Sequence, residues 1–297
     1  MLRILLNALR TGVVTTRYPA EPSVPPNRFR GMPVLLPGSS LPPPKVCPTG
    51  ALSERLDAGR RHVALDLARC VFCGRCAEDP WAGAVTMGRE FELAARTRAD
   101  LRIEVVADDP AVPAAGRVTG PAAEPTPDAD AEAARAASEI HRVLGRSLHL
   151  RHLDAGSCNA CDWELAALLN PVYDVRRLGI DFVAAPRHAD GVVVTGPVTR
   201  NLETAVRRTV EAIPEPRIVI AVGACAASGG IVGESYASAG GVDKVLPVDV
   251  YIPGCPPRPE AIIFGILVAL GRLDARRLAR EERPGEKSGA QPAMKVK

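Results

Sequence analysis

Three short apolar runs set the rhythm of the second half of the chain: Gly191-Val-Val-Val-Thr195, Ile218-Val-Ile-Ala-Val222 and Val248-Asp-Val-Tyr-Ile252. Each is rich in β-branched residues and is closely followed by a glycine: Gly196, Gly223 and Gly254. Near-continuous apolar runs of this length predict strands buried on both sides, the habit of a parallel sheet. Between the first two, Leu202, Ala205, Val206, Thr209, Val210 and Ile213 share one face at helical spacing. After the third, Pro257 precedes a segment from Glu260 to Leu270 that is apolar nearly all round, which predicts a core helix. Strands alternating with helices predict an α/β fold, an open parallel sheet with helices on both faces.

The start of the chain has a different pattern. Leu2, Leu5, Leu6 and Leu9 line one face of a short amphipathic helix. Such a helix packs on its own domain or docks on a membrane-bound partner. Asn7 and Arg10 interrupt the apolar run, so a cleaved signal is not expected. No run approaches the ~18–20 apolar residues of a membrane-spanning helix.

Composition divides the rest. Residues 1–46 read as an N-terminal helix and Pro-rich extension, and 47–107 as a compact block holding Cys47, Cys70, Cys73 and Cys76. Residues 108–146 are rich in Ala, Pro and acidic residues. With so few large apolar side chains they read as a linker, helical towards Leu144. Residues 147–275 hold Cys158, Cys161, Cys225 and Cys255, and 276–297 read as a flexible tail. The 297 residues carry 37 Lys and Arg against 34 Asp and Glu, a balance that does not suggest a nucleic-acid partner.

The eight cysteines carry the chemistry. A chain of this size with an α/β rhythm does not need disulfide staples. Cys225 and Cys255 each lie just past a predicted strand; Cys158 and Cys161 follow the apolar stretch Leu148 to Leu153. Ligands of open parallel sheets bind outside the carboxyl ends of the strands, so the four predict one thiolate cage. Small residues surround it, as in Gly223-Ala-Cys-Ala-Ala-Ser-Gly-Gly230, and let backbone N–H groups approach cluster sulfurs. From spacing alone an iron–sulfur cluster, a zinc ion and buried free thiols all stay open, although zinc usually takes paired CxxC units. A phosphate loop is a weak reading after Gly223, because the Walker Lys-Ser/Thr is missing.

Several stretches then carry a resemblance. They are Cys158-Asn-Ala-Cys-Asp-Trp-Glu164, Pro186-Arg-His-Ala-Asp190, Thr195-Gly-Pro-Val-Thr199, Gly223-Ala-Cys225, Ser228-Gly-Gly230 and Pro247 through Glu260. Over roughly residues 147–272 the chain resembles the small subunit of membrane-associated group 4 [NiFe] hydrogenases, including formate hydrogenlyase. That family is related to the B-type subunit of respiratory complex I. The resemblance implies a flavodoxin-like fold and one [4Fe-4S] cluster on Cys158, Cys161, Cys225 and Cys255. The complex I counterpart has adjacent cysteines at the first position, so the Cys-x-x-Cys spacing here favours the hydrogenase side. Glu164 matches an acidic residue near the cluster, where it implies a proton route or merely favours the helix start. Arg187 and His188 match a loop expected near the cluster, as structural or tuning residues.

In the first block, Cys70-Val-Phe-Cys73-Gly-Arg-Cys76 is the CxxCxxC run of bacterial ferredoxins, and Cys47-Pro48 matches the Cys-Pro of a preceding repeat. The other cluster of a two-cluster ferredoxin would need cysteines at 37, 40, 43 and 80, which hold Pro37, Ser40, Pro43 and Pro80. One full ligand set is lost and one is kept, which zinc does not explain. Gly12 to Pro19 and Phe29 to Pro33 also resemble the ferredoxin-like subunit of the same complexes. The expectation is therefore a fusion, with a small α+β ferredoxin-like domain ahead of the α/β domain. It would hold two [4Fe-4S] clusters and relay single electrons. The implied partners are a [NiFe] hydrogenase-like large subunit, membrane-embedded subunits and further ferredoxin-like subunits. The implied location is peripheral, on the cytoplasmic face of the cell membrane. The rival expectations are a complex I-like module that passes electrons to quinone and a zinc scaffold without redox chemistry.

Overall fold

The computed structural model describes residues 2–36, 41–57, 60–81, 84–106, 138, 140–142 and 144–281. Most of the expected linker, residues 282–297 of the tail, and Pro37 and Ser40 lie outside the described residues.

The larger domain is a five-stranded sheet. Its strands are β6 (Leu148–Asp154), β7 (Ile180–Phe182), β8 (Gly191–Thr195), β9 (Ile218–Val222) and β10 (Val250–Ile252). All pairs are parallel, in the order β10-β9-β8-β6-β7. Counted from its own first strand this is the doubly wound 2-1-3-4-5 order of the flavodoxin-like fold. The strand order reverses beside β6, and β6 leads directly to Cys158.

Alternate strand residues feed two cores. Val193, Ile218, Ile220, Val222 and Ile252 pack with Ile262, Ile263 and Ile266 of a long helix. Val192, Val194, Val219 and Ala221 pack with Val206 and Val210 on the other face. The helices are α2 (Ala160–Ala167), α3 (Glu203–Glu211), α4 (Gly223–Ser228) and α5 (Pro259–Glu281), after an N-terminal α1 (Leu2–Thr11). The α5 helix runs on past residue 276, where the sequence reads as tail, because its Ala, Leu and Arg residues are good helix formers. The loop expected after Gly223 is the short α4, built on Ala224, Ala226 and Ala227.

The smaller domain pairs β1 (Pro33–Leu35) with β4 (Val85–Met87). A second antiparallel sheet holds β2 (Leu52–Asp57), β3 (Arg60–Asp66) and β5 (Arg102–Val106). Residues 33–35, read from sequence as extension, thus belong to a sheet of the cysteine block. Among the described residues between 33 and 106 only single 3₁₀ turns occur, at Pro44–Val46, Arg75–Ala77 and Ala99–Leu101.

The domains are joined by named contacts. Ala95 and Tyr251 exchange backbone hydrogen bonds of 3.0 and 2.8 Å and cover the open edge of β10. Arg98 bridges Asp66 at 3.5 Å and Asp243 at 3.2 Å. Ser228 Oγ donates to the Ala68 carbonyl at 2.8 Å. The segment after α1 is tied down as well: Thr16 N–H donates to Val172 O at 2.7 Å, and buried Tyr18 donates to Glu92 at 2.6 Å.

Candidate metal centres

The parallel sheet delivers the second cysteine set to one edge. Cys158 follows β6, Cys161 lies in the first turn of α2, Cys225 lies in α4 after β9, and Cys255 follows β10. Asn159 takes a left-handed conformation (φ 68°), which turns the chain between Cys158 and Cys161. Gly223 (φ +89°) starts α4, and a Cβ there would lie 2.5 Å from Cys161 Sγ. Burial pushes the Cys161 thiol well up, and the thiols of Cys225, Cys255 and Cys158 add to it. Burial together with Cys255 and Cys158 pushes Cys225 up to about 11. Cys161 and Cys225, which resist ionising beside the other cysteines, form with them a site that a bound cation would favour.

The first set is folded locally. The 3₁₀ turn Pro44–Val46 brings in Cys47, and Gly74 (φ 82°) lets Cys76 turn back towards Cys73. All four cysteines line one cavity, with Thr49 and Phe72. Burial, then Cys76, Cys47 and Cys73, hold the Cys70 thiol at about 12, although the Phe72 N–H bonds to its sulfur. Burial also pushes Cys76 to about 11. Cys47 differs. Burial raises it, but the Thr49 hydroxyl and the N–H groups of Thr49, Leu52 and Ala51 outweigh burial and lower it. Among the described residues, no group of three or more His, Cys, Asp or Glu side chains is drawn together to hold one metal ion.

The two sets meet. Burial raises the Cys255 thiol, then Cys158, then Cys73 from the other domain. Between the sets lies a cleft lined by Phe72, Cys255, Phe29, Phe91 and Arg258, among others. The Arg258 guanidinium stacks 5.4 Å from the Phe29 ring centroid and 4.7 Å from that of Phe91. It also pairs with Glu260, which is only 2% exposed and accepts a hydrogen bond from Ser23 at 2.8 Å. Sequence reading quoted Arg258 and Glu260 inside a matching stretch but gave them no role. Only the fold brings Phe29 and Phe91 around them.

Glu164 lies on α2, one turn beyond Cys161. Its carboxyl is raised by burial and by Glu260, against Arg258. Arg187 and His188 lie elsewhere, which corrects the expectation that they sit near the cluster. They form the 3₁₀ turn Pro186–His188 just before β8, at the amino edge of the sheet. A five-residue strand, about 16 Å at ~3.3 Å per residue, separates that edge from the cysteines. The matching loop looked close because it precedes the matching Thr195 stretch in sequence, but a parallel strand carries the chain away from it. A polar network also escaped the sequence reading. Asp162 accepts from Thr195 at 2.7 Å and from Ser157, and pairs with His152 at 2.8 Å. It braces the Cys158–Cys161 turn against β6 and β8.

A doubly wound sheet with four cysteines at its carboxyl edge is the setting in which the comparisons with known proteins place the chain among oxidoreductase subunits of membrane complexes. The chain belongs to the family of the NADH ubiquinone oxidoreductase 20 kDa subunit, whose model matches residues 158–269. It is 46% identical over 136 residues to a probable membrane-bound hydrogenase subunit, mbhJ, of Pyrococcus furiosus. That match covers 46% of this chain and 81% of the relative. It is 44% identical over 149 residues to formate hydrogenlyase subunit 7 of Escherichia coli, covering 50% and 58%. It is 44% identical over 117 residues to the B-type subunit of the NADH-quinone oxidoreductase of Geotalea daltonii, covering 39% and 68%.

Proposed function

We propose that this chain is the iron–sulfur electron-transfer subunit of a membrane-associated group 4 [NiFe] hydrogenase-type complex. In this reading Cys158, Cys161, Cys225 and Cys255 hold one [4Fe-4S] cluster, and Cys47, Cys70, Cys73 and Cys76 hold a second. The observation that carries the proposal is that two four-cysteine sets flank one cleft, which Phe72 of the first set's loop and Cys255 of the second both line. Each bound cluster would accept and release one electron. The chain's own part is to hold the thiolates and fix the separation of the two centres. Electron tunnelling falls steeply with distance, so that separation decides the rate. The donor set fits in chemistry: each set offers four thiols and no other ligand type, as a [4Fe-4S] cluster takes.

The catalytic partner belongs at the second set. Cys158 and Cys255 are exposed there. Trp163, 75% exposed, stands two residues beyond Cys161, and the exposed Ile231 and Val232 follow Gly230, which abuts Cys225. Exposed apolar side chains around an exposed thiol cage suit a large protein partner, here a [NiFe] hydrogenase-like large subunit. Membrane-embedded subunits would hold the complex at the cytoplasmic face. Among the described residues no helix is long and apolar enough to cross a membrane. Glu164 is the proposed proton-carrying residue beside the second set, and Arg187 and His188 take no part there.

A second reading, a complex I-like module that serves quinone, is favoured by the family description and the NADH-quinone oxidoreductase relative. The Cys158-Asn-Ala-Cys161 spacing weighs against it, and a large-subunit partner with four nickel-ligating cysteines would decide for hydrogenase. The test is anaerobic iron and sulfide quantitation, with electron paramagnetic resonance after reduction. About eight of each per chain, with two interacting cubane signals, is expected. About four would end the two-cluster relay, and zinc without visible absorption would overturn the function.

A further inference from the structure

Each cysteine set is tied to the same pair of aromatic rings by an arginine. On the larger domain, Cys255 is followed by Pro256, Pro257 and Arg258. Two consecutive prolines fix two φ angles, so the Arg258 backbone keeps a set place relative to Cys255. Its guanidinium donates to Glu260 from Nε at 2.8 Å and from Nη2 at 2.5 Å, and from Nη2 to Ser23 Oγ at 3.2 Å. It also lies over the rings of Phe29 and Phe91. Nη1 is buried without a hydrogen-bond partner among the described residues, so the ring faces supply what hydrogen bonds do not. On the smaller domain, Phe29 is followed by Arg30, which donates from Nη1 to the Cys73 carbonyl at 2.5 Å. The N–H groups of Gly31 and Met32 then donate to Gly88 and Glu90 at 2.8 and 2.9 Å. That pairing seats Phe29 beside Phe91, with ring centroids 6.4 Å apart and planes at 85°.

We propose that Arg258 and Arg30 are positioning residues, the two halves of a clasp that fixes the separation of the two cysteine sets. The proposal rests on the reading that both sets hold clusters, since only then does their separation set a rate of electron exchange. The clasp closes on the cleft that Phe72 and Cys255 line together with Phe29, Phe91, Arg30 and Arg258. An apolar side chain at position 258 would also pack on the rings, and a buried ion pair adds little stability over one. What the guanidinium adds is direction. A planar fork bonded to Glu260 and Ser23 and stacked on two rings has one orientation, which a lysine ammonium would not keep. The N-terminal segment reinforces the clasp by crossing from one domain to the other. On the larger domain Thr15 and Thr16 donate to the Pro171 and Val172 carbonyls, and Ser23 donates to Glu260. On the smaller one Tyr18 donates to Glu92, and Arg89 donates to the Pro25 carbonyl.

The test uses the full holo chain, kept anaerobic. The double variant Arg258→Met with Glu260→Gln removes the cation without leaving a buried carboxylate unpaired. Phe29→Leu, a second variant, keeps an apolar side chain but removes one ring face. Both should keep the iron and sulfide of the wild type. The magnetic interaction between the two reduced clusters should weaken in both. Electron exchange between the clusters, followed by pulse radiolysis, should slow about tenfold in the double variant. Arg258→Lys, which keeps the charge but not the fork, should fall between it and the wild type. Amide hydrogen exchange reads the clasp apart from electron transfer: residues 18–32 should exchange faster in the double variant. Magnetic interaction, rate and hydrogen exchange that all stay at wild-type values in both variants overturn the proposal. So does loss of iron from the second set alone, which would make Arg258 a prop of the Cys255 loop and nothing more. If the wild type carries the iron of one set only, the cluster reading fails and takes this proposal with it, a failure that the iron count separates from the others.

Discussion

The grouping of the cysteines was legible from local spacing, as in Cys70-x-x-Cys73-x-x-Cys76, or from a place just past a strand, as at Cys225 and Cys255. Arg258 was not, since its partners Phe29 and Phe91 are brought to it only by the packing of two domains. At this scale three outcomes are expected. Cys255→Ser should remove about half of the iron and leave the first-set signal, read by iron analysis and paramagnetic resonance. Gly223→Ala should act on the same centre without touching a ligand. Its Cβ would meet Cys161 Sγ at 2.5 Å in a left-handed backbone, so second-set occupancy should drop while the first set stays loaded. Glu92 supplies a pH effect. Burial raises its carboxyl, the hydrogen bond from Tyr18 lowers it, and Glu90 raises it again, with a net upward shift. A folded-state pKa above the unfolded one means that ionised Glu92 opposes folding, and stability is lost as pH rises through the folded value. Glu92→Gln should therefore gain on the wild type in urea midpoint from about pH 5 to about pH 8. A gain that grows towards low pH would contradict the assignment.

At the scale of elements, β8 and β9 match the runs read from the sequence residue for residue, because strands buried on both faces cannot hide among polar neighbours. β7 was missed: Ile180-Asp-Phe182 is a three-residue edge strand with one buried position, too short to leave a period. Contact between α5 and β10 depends on one small residue. A Cβ on Gly265 would lie 2.2 Å from Ile252 Cδ1, and the helix stands that close to the strand only without it. Gly265→Val should lower stability by about 1–3 kcal/mol through overpacking, measured by denaturant unfolding. An unchanged midpoint would mean that α5 can shift away freely.

At the scale of the whole molecule, the joining of the two cysteine blocks was not legible, because no sequence pattern announces that Ala95 will pair with Tyr251 or Arg98 with Asp66 and Asp243. One apolar core runs from Leu65 and Val63 of the smaller domain to Val192 and Ala221 of the larger. Inserting a protease site into residues 107–137 and cutting there should thus leave both halves co-eluting on size exclusion at moderate salt. Separation on cutting would show that the covalent connection, not the interface, holds the two centres near each other.

The spacing of the cysteines along the chain also sets an order in time. Three ligands of the first set lie within seven residues, and Cys47 is not far upstream, so that centre can close on a nascent chain. The second set needs Cys158 and Cys255 together, which requires β6, β9 and β10 to be in register first. Closing the longer loop costs about 1 kcal/mol more by chain entropy alone. If both sets hold clusters as proposed, loading is expected to start on the N-terminal side. On that reading, a cell short of iron would accumulate chains loaded at the first set and still open at the second.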